Sequence, residues 1–394
     1  MPPFPKIILK RDKEKPVLGR HPWIFSGAIE NVEGKFSKGD VVLIYSHRGD
    51  FLAKGYFNPE SQISVRILSF CDEEISLDFF KRRIEEAYAI RKGWVPPETD
   101  AYRLIHSEGD FLPGLIVDRY ADFLVVQFLT AGMEQLKDYI VEALDSTMHP
   151  KGIFEKDDSD VRAFEGLPER LALLRGEAPP ESIRVQEYGN KFLVDVHGGQ
   201  KTGFYLDQRE NRRRVMFHSA NRRVLNCFGY TGAFSVYAAK GGANEIVTVE
   251  SSQQALRLAE KNMTLNGFDS PRYQYITEDV FKFLRKEEKP FDLIILDPPA
   301  FAPTKASVMQ ATRGYKDINR LALKLLAPSG LLFTYSCSHH IDSVLFQQVL
   351  FAAAKDAGVN ARILEKSSNP FDHPVNIYHP EGEYLKGFVL VKSA

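Results

Sequence analysis

The chain has 394 residues, which at about 150 residues per domain predicts between two and three domains. Hydrophobic residues make up 44% and charged residues 26%, so a disordered or fibrous chain is excluded. With 51 basic and 52 acidic side chains the net charge is −1, and any preference for a polyanion must come from local charge. Three cysteines (Cys71, Cys227, Cys337) are too few for a disulfide framework and point to a reducing compartment. The first twenty residues hold only a short apolar run, and no stretch is long enough to span a bilayer, so a soluble cytoplasmic protein without membrane contact is expected.

Up to about residue 70 the sequence reads as all-β. Strand-like runs at 41–45, 51–56 and 63–68 are separated by the turn signals Gly39-Asp40, Arg48-Gly49-Asp50 and Asn58-Pro59, which suits a small barrel or sandwich. This segment carries a local charge of +4, with Arg11 and Arg20 close to His21, Trp23 and Phe25. Basic groups beside aromatics suit a nucleic-acid surface, and equally a solvated basic tail on a structural barrel.

Helical spacing from Leu77 to about Arg91, after Ser76 as a cap, predicts a linking helix. Strands at 115–118, 123–128 and 152–154, with a helix from Met133 to Leu144, predict a small α+β unit. Residues 157–182 are charged and contain Pro179-Pro180, which suits an exposed connection. Beyond residue 220, strands at 224–227, 245–250, 273–276, 292–297 and 331–335 alternate with helices, the first two being 233–240 and 253–266. Continuous apolar strands alternating with helices indicate an α/β, parallel, doubly wound sheet, whose ligands bind at the carboxyl ends of the strands.

Those ends carry the informative residues. The first strand runs into Phe228-Gly229-Tyr230-Thr231-Gly232, where glycine lets backbone approach a ligand. Glu250 ends the second strand, Asp279 follows the third, and Asp297 opens Asp297-Pro298-Pro299-Ala300-Phe301 after the fourth. A glycine turn with three successive strand-end acids reads as a nucleoside pocket, where an acid accepts hydrogen bonds from ribose hydroxyls.

DPPAF is similar to the Asp/Asn-Pro-Pro-aromatic signature of S-adenosylmethionine-dependent methyltransferases that act on nucleobases. Together with VLNCFGYTGAFSVYAA, GGQKTGFYLDQR (Gly198 to Arg209), RGYKDIN (Arg313 to Asn319), YSCS (Tyr335 to Ser338) and EGEYLKGF (Glu381 to Phe388), it makes the chain resemble the bacterial ribosomal RNA large subunit cytosine-5 methyltransferase I family along essentially its whole length. The resemblance implies a PUA RNA-binding domain over 1–72, a central α+β domain over 73–185, and a Rossmann-like class I methyltransferase domain over 186–394. It implies S-adenosylmethionine as cofactor, with Asn226, Phe228, Gly229, Thr231 and Gly232 around the methionine part, Glu250 at the ribose, Asp279 and Val280 at the adenine, and Asp297 and Pro298 near the methyl donor. It further implies 5-methylcytosine formation in 23S ribosomal RNA, free or in an assembly intermediate, and a homodimer.

Cytosine C5 is a poor nucleophile, and such enzymes first add a cysteine thiolate to C6, which requires an accessible cysteine at the pocket. Cys337, at the end of the fifth strand, is the candidate nucleophile, with Asp297 holding the base edge and polarising its ring nitrogen. Family members usually carry DPPKF, whereas Ala300 stands here, so a lysine role at that position is absent. The fourth-strand motif has no cysteine, which implies a single-cysteine cycle. Residues 201–223 carry a local charge of +5, and Lys201, Arg209 and Arg213 with Phe204 are candidates for gripping RNA phosphate and stacking on a base, unless this is an exposed arginine-rich helix without such a role. His339-His340 with Cys337 makes too small a ligand set for zinc, so no metal is expected. Two other readings stay open: a methyltransferase for another base position or for DNA, in which Cys337 would be dispensable, and a non-catalytic RNA-binding assembly factor. An incomplete glycine pattern argues against a nicotinamide dehydrogenase.

Overall fold

The computed structural model describes residues 4–302 and 304–393. Among the described residues, twenty strands run in chain order. The first six, β1 (Lys6–Leu9), β2 (Trp23–Ile24), β3 (Ile29–Glu33), β4 (Val41–Tyr45), β5 (Phe51–Phe57) and β6 (Val65–Ser69), form one sheet in the order β2-β6-β5-β4-β1-β3. All its pairings are antiparallel except β1 with β4. Alternating residues of these strands, among them Ile7, Leu9, Val42, Ile44 and Phe57, close an apolar core.

A second sheet has the order β11-β10-β9-β8-β7, from β7 (Ala101–His106), β8 (Leu115–Tyr120), β9 (Phe123–Phe128), β10 (Gly152–Asp157) and β11 (Arg170–Gly176). The linking helix, Leu77–Trp94, buries Phe79, Phe80 and Ile84 in this core. Ser76 does stand at its N-cap, but its side chain makes no capping hydrogen bond. The helix expected from Met133 to Leu144 is interrupted at Leu136 into Ala131–Gln135 and Lys137–Met148.

The charged stretch 157–182 is largely exposed, as expected, but it is more than a connection. It supplies the edge strand β11, antiparallel to β10, and a short helix, Val161–Phe164. The guanidinium of Arg162 is buried because Asp157 accepts from it at 2.6 Å, the Glu134 carboxylate at 3.1 Å, and the Phe128 carbonyl as well. Composition reads charge as exposure, and a charge whose partners are buried with it breaks that rule.

After β12 (Ile183–Glu187) and β13 (Asn190–Val194), which make a two-stranded sheet, come β14 (Arg223–Cys227), β15 (Glu245–Glu250), β16 (Tyr273–Thr277), β17 (Phe291–Leu296), β18 (Leu326–Ser336), β19 (Ala361–Ser367) and β20 (Lys386–Lys392). They form a seven-stranded sheet in the order β16-β15-β14-β17-β18-β20-β19. Strands β14 to β18 are parallel, and β20 runs antiparallel to both β18 and β19. The strand order reverses between β14 and β17, the switch point at which such sheets open a crevice.

By compactness the chain divides into two units. One comprises Met1–Gln186, Val194–Leu206 and Phe371–Gly382; the other comprises Glu187–Leu193, Asp207–Pro370 and Glu383–Ala394. The six-stranded and five-stranded sheets therefore share a unit, and Arg66 of β6 and Asn58 donate to the buried Glu165 carboxylate at 2.9 and 2.8 Å. No described helix is long and apolar enough to cross a membrane.

Candidate active site

The glycine turn after β14 is built for close approach. Phe228, Tyr230 and Gly232 all have positive φ, at 58°, 44° and 75°. A Cβ on Gly229 would lie 2.4 Å from Thr248 Cγ2, and one on Gly232 would lie 2.7 Å from Ala259 Cβ, so both positions exclude a side chain. Gly232 is also the N-cap of the helix Ala233–Lys240. Beneath the turn, Asn226 Nδ2 donates to Ser235 Oγ at 2.9 Å, and Ser235 Oγ lies 2.7 Å from Thr248 Oγ1.

Glu250 secures the turn from the next strand: its Oε2 accepts from the Tyr230 amide at 3.1 Å, and its Oε1 accepts from the Ser252 amide at 2.9 Å. Asp279 is exposed and caps the helix Val280–Lys286, accepting from the Lys282 amide at 2.9 Å, while Val280 is buried. The three acids thus stand at successive strand ends as the sequence predicts, two of them engaged in holding backbone.

Asp297 follows β17 and is half-buried. Its Oδ1 accepts from Gln208 Nε2 at 2.8 Å, and Gln208 Oε1 in turn accepts from Asn211 Nδ2 at 2.6 Å. Gln208 is a residue that sequence reasoning missed; its only signal was its place in GGQKTGFYLDQR. Burial and then the charge of Asp297 push the Tyr335 phenol well above its usual range, so Tyr335 stays protonated.

Cys337 is half-exposed just beyond β18, with its Sγ 3.9 Å from the Pro298 carbonyl oxygen. Sheet order therefore brings the cysteine and the Asp-Pro-Pro turn together, because β17 and β18 are neighbours. Ser338, the next residue, is fixed by the Ala302 amide at 3.3 Å and lies 3.1 Å from the buried Tyr315 hydroxyl of RGYKDIN. Cys227 is fully buried, and burial pushes its thiol far up, so it stays protonated and inert. Cys71 is exposed.

Two of the RNA-contact candidates require correction. Phe204 is 3% exposed and Arg209 0% exposed, so neither offers a surface on which RNA could stack or sit. The arginine-rich helix Arg209–Phe217 is amphipathic in an unexpected sense. Arg212 is buried in a two-pronged pair with Glu187, at 2.8 and 2.6 Å, and Arg209 Nε lies 3.7 Å from the same carboxylate. Glu187 lies upstream of the basic run, and the local charge count did not include it. Arg213 and Lys201 are exposed, lying 4.8 Å from the Tyr188 ring and 4.4 Å from the Tyr205 ring. Arg11 and Arg20 are exposed as well, and Trp23 is half-buried with its indole N–H donating to Glu108 Oε1 at 2.7 Å.

Residues 165–379 match the S-adenosylmethionine-dependent methyltransferase family and residues 7–70 match a PUA-like domain. Over 391 residues, 98% of each chain, the sequence is 50% identical to ribosomal RNA large subunit methyltransferase I of Aeromonas salmonicida. The chain belongs to the ribosomal RNA large subunit methyltransferase I family. The Tolumonas auensis member is 47% identical with the same coverage. Among solved structures, a protein described as a methyltransferase and complexed with S-adenosylhomocysteine superposes with a TM-score of 0.86 at 27% identity, covering 98% of this chain and 99% of the other. A Streptococcus mutans protein described as an S-adenosylmethionine-dependent methyltransferase gives 0.85 at 26% identity with the same coverage. The protein is accordingly an α/β S-adenosylmethionine-dependent methyltransferase with an N-terminal PUA-like domain.

The residues at the switch point fit that cofactor. Asn226 Oδ1 and Thr231 Oγ1 are buried without a hydrogen-bond partner among the described residues, as polar atoms awaiting a ligand are. They flank the turn in which a Cβ at Gly229 would have no room.

Proposed function

We propose that this protein forms 5-methylcytosine in large-subunit ribosomal RNA, with Cys337 as the nucleophile and Asp297 as the group that holds the base. The placement of Cys337 Sγ beside the Pro298 carbonyl, one residue from Asp297, carries this reading. S-adenosylmethionine supplies an electrophilic methyl on a sulfonium. The Cys337 thiolate adds to C6 of the target cytosine, which moves electron density to C5 and makes it nucleophilic. Asp297, oriented by Gln208, hydrogen-bonds the base edge and stabilises charge at the ring nitrogen during that addition. After C5 is methylated, transfer of the C5 proton to water or to a neighbouring base restores the ring double bond and expels the thiolate, leaving the enzyme's cysteine as it began.

Asn226, Phe228, Gly229, Thr231 and Gly232 would contact the methionine part, Glu250 the ribose, and Asp279 and Val280 the adenine, with Pro298 beside the methyl. Residues 1–72 would bring the RNA through Arg11, Arg20 and Trp23, residues 186–394 would carry the chemistry with Lys201 and Arg213 at its edge, and residues 73–185 would join the two. A cytoplasmic, homodimeric enzyme acting on free RNA or an assembly intermediate fits the family.

The test is transfer of labelled methyl from S-adenosylmethionine to protein-free large-subunit RNA, followed by nucleoside analysis. Intact protein is expected to yield 5-methylcytosine, and Cys337→Ala to lose at least about a thousandfold in rate, the scale on which covalent nucleophiles act. An equally active Cys337→Ala, or a different methylated nucleoside, overturns the assignment in favour of another base position.

A further inference from the structure

Next to the nucleophile lies a buried cation that the steps above do not use. Lys386 is 4% exposed. It is the first residue of β20 and sits opposite Ser336 in the antiparallel register, one residue before Cys337. Its Nζ donates to the Ser338 carbonyl at 2.7 Å and to the Tyr384 carbonyl at 2.6 Å. An ammonium has three N–H donors, and two are thus spent on carbonyls, one of them that of the residue after the cysteine. Among the described residues no carboxylate lies within ion-pair distance of it, whereas the other buried lysines, Lys54 and Lys156, pair with Asp72 at 2.8 Å and Asp158 at 2.5 Å. A buried charge without a counter-charge is costly and calls for an anion that is present during function.

We propose that Lys386 is the counter-cation that holds Cys337 as a thiolate, so that the nucleophile is formed before RNA binds; this rests on the reading of Cys337 as nucleophile. The Sγ–H bond breaks with its electron pair left on sulfur. The proton passes to the ε-amine where that amine is neutral, or to solvent where it is already an ammonium. Either route ends in the same thiolate–ammonium pair, and the sulfur pair then makes the bond to C6 and returns on elimination. Burial draws the Lys386 amine down to about 8, opposed by the negative charges of Cys337, Glu383 and Asp342, so the ammonium prevails at neutral pH. Glu383 and Asp342 act on Lys386, the Tyr315 phenol feels the Cys337 charge, and Asp297 stands one residue before the Pro298 carbonyl that Sγ meets.

Iodoacetamide alkylation of the full-length protein between pH 5 and 10, read at Cys337 by peptide mass spectrometry, tests this without RNA or cofactor. In the intact protein the Cys337 midpoint is expected below the ordinary thiol value of about 8.5. In Lys386→Gln, which keeps an N–H donor for the carbonyls but no charge, it is expected to rise by about one pH unit, with alkylation at pH 7 about tenfold slower. Lys386→Arg should stay near the intact profile, and exposed Cys71 serves as the internal control. An unchanged midpoint in folded Lys386→Gln overturns the proposal. If that variant does not fold, a midpoint at or above the ordinary thiol value in the intact protein does so. A Cys337→Ala variant that still methylates RNA would sink the nucleophile reading alone, since the alkylation shift does not depend on turnover.

Discussion

At the scale of single residues the proposed chemistry depends on a carboxylate being aimed. Asp297 is half-buried on a proline turn, and Gln208 fixes one of its oxygens while being fixed itself by Asn211. Gln208→Leu removes the amide N–H that holds Asp297 Oδ1, and kcat for methyl transfer is expected to fall by about 100-fold, the cost of a small misplacement of a reacting group. S-adenosylmethionine affinity, measured by calorimetry, should change little, since Gln208 contacts Asp297 and not the glycine turn. Gln208→Glu would set two carboxylates 2.8 Å apart, forcing them to share a proton. The acid limb of its pH–rate profile should therefore move to higher pH, a displacement that general loosening of the fold would not produce.

Among the elements, the helix Arg209–Phe217 is anchored on Glu187, whose carboxylate also accepts from the Tyr237 hydroxyl at 2.9 Å. Replacing Arg212 by Met strands most of a buried carboxylate, and a loss of about 3–5 kcal/mol in urea unfolding is expected. Combining it with Glu187→Leu should recover part of that loss. This helix also marks the limit of what could be read from sequence. The strands β14 to β18, the turn at Gly229 and the acids at the strand ends were legible, because parallel strands are continuous apolar runs and their ends fall where the runs stop. Cys337 was legible for the same reason. Lys386 was not: β20 inserts between β18 and β19, and nothing in local spacing reveals which residue a returning antiparallel strand will set beside a given cysteine. The direction in which Arg209 and Arg212 face was hidden likewise, since their partner Glu187 belongs to another element.

On the scale of the whole molecule, acid sensitivity has an identifiable origin in the first unit. His106 packs against His373 with ring centroids 5.0 Å apart. Its pKa lies well below the usual 6.5, through loss of solvent first and then the charges of His373, Arg103 and Arg91. A depressed histidine binds its proton more readily when unfolded, so its contribution to stability is complete above about pH 6.5 and is lost as pH falls below that value toward the folded pKa. The urea midpoint should therefore be lower at pH 5 than at pH 7, this one group supplying up to about 1.4 kcal/mol for each pH unit within that window. His106→Gln should flatten that dependence.

The division of the chain carries one more consequence, for its synthesis. Asp372 accepts from Arg91 Nη2 at 3.0 Å through its carbonyl, and from the Arg103 amide at 3.1 Å through its carboxylate. Arg91 and Asp372 are 281 residues apart, so at 5–20 residues per second the ribosome takes on the order of 15 to 55 s between them. Through that interval the nascent first unit holds both partners of the Arg91–Asp110 pair but lacks the segment that completes it. Stalled or prematurely ended chains would display an unfinished surface even where both sheets of that unit are already made, and such fragments should be the ones that chaperones retain and proteases clear.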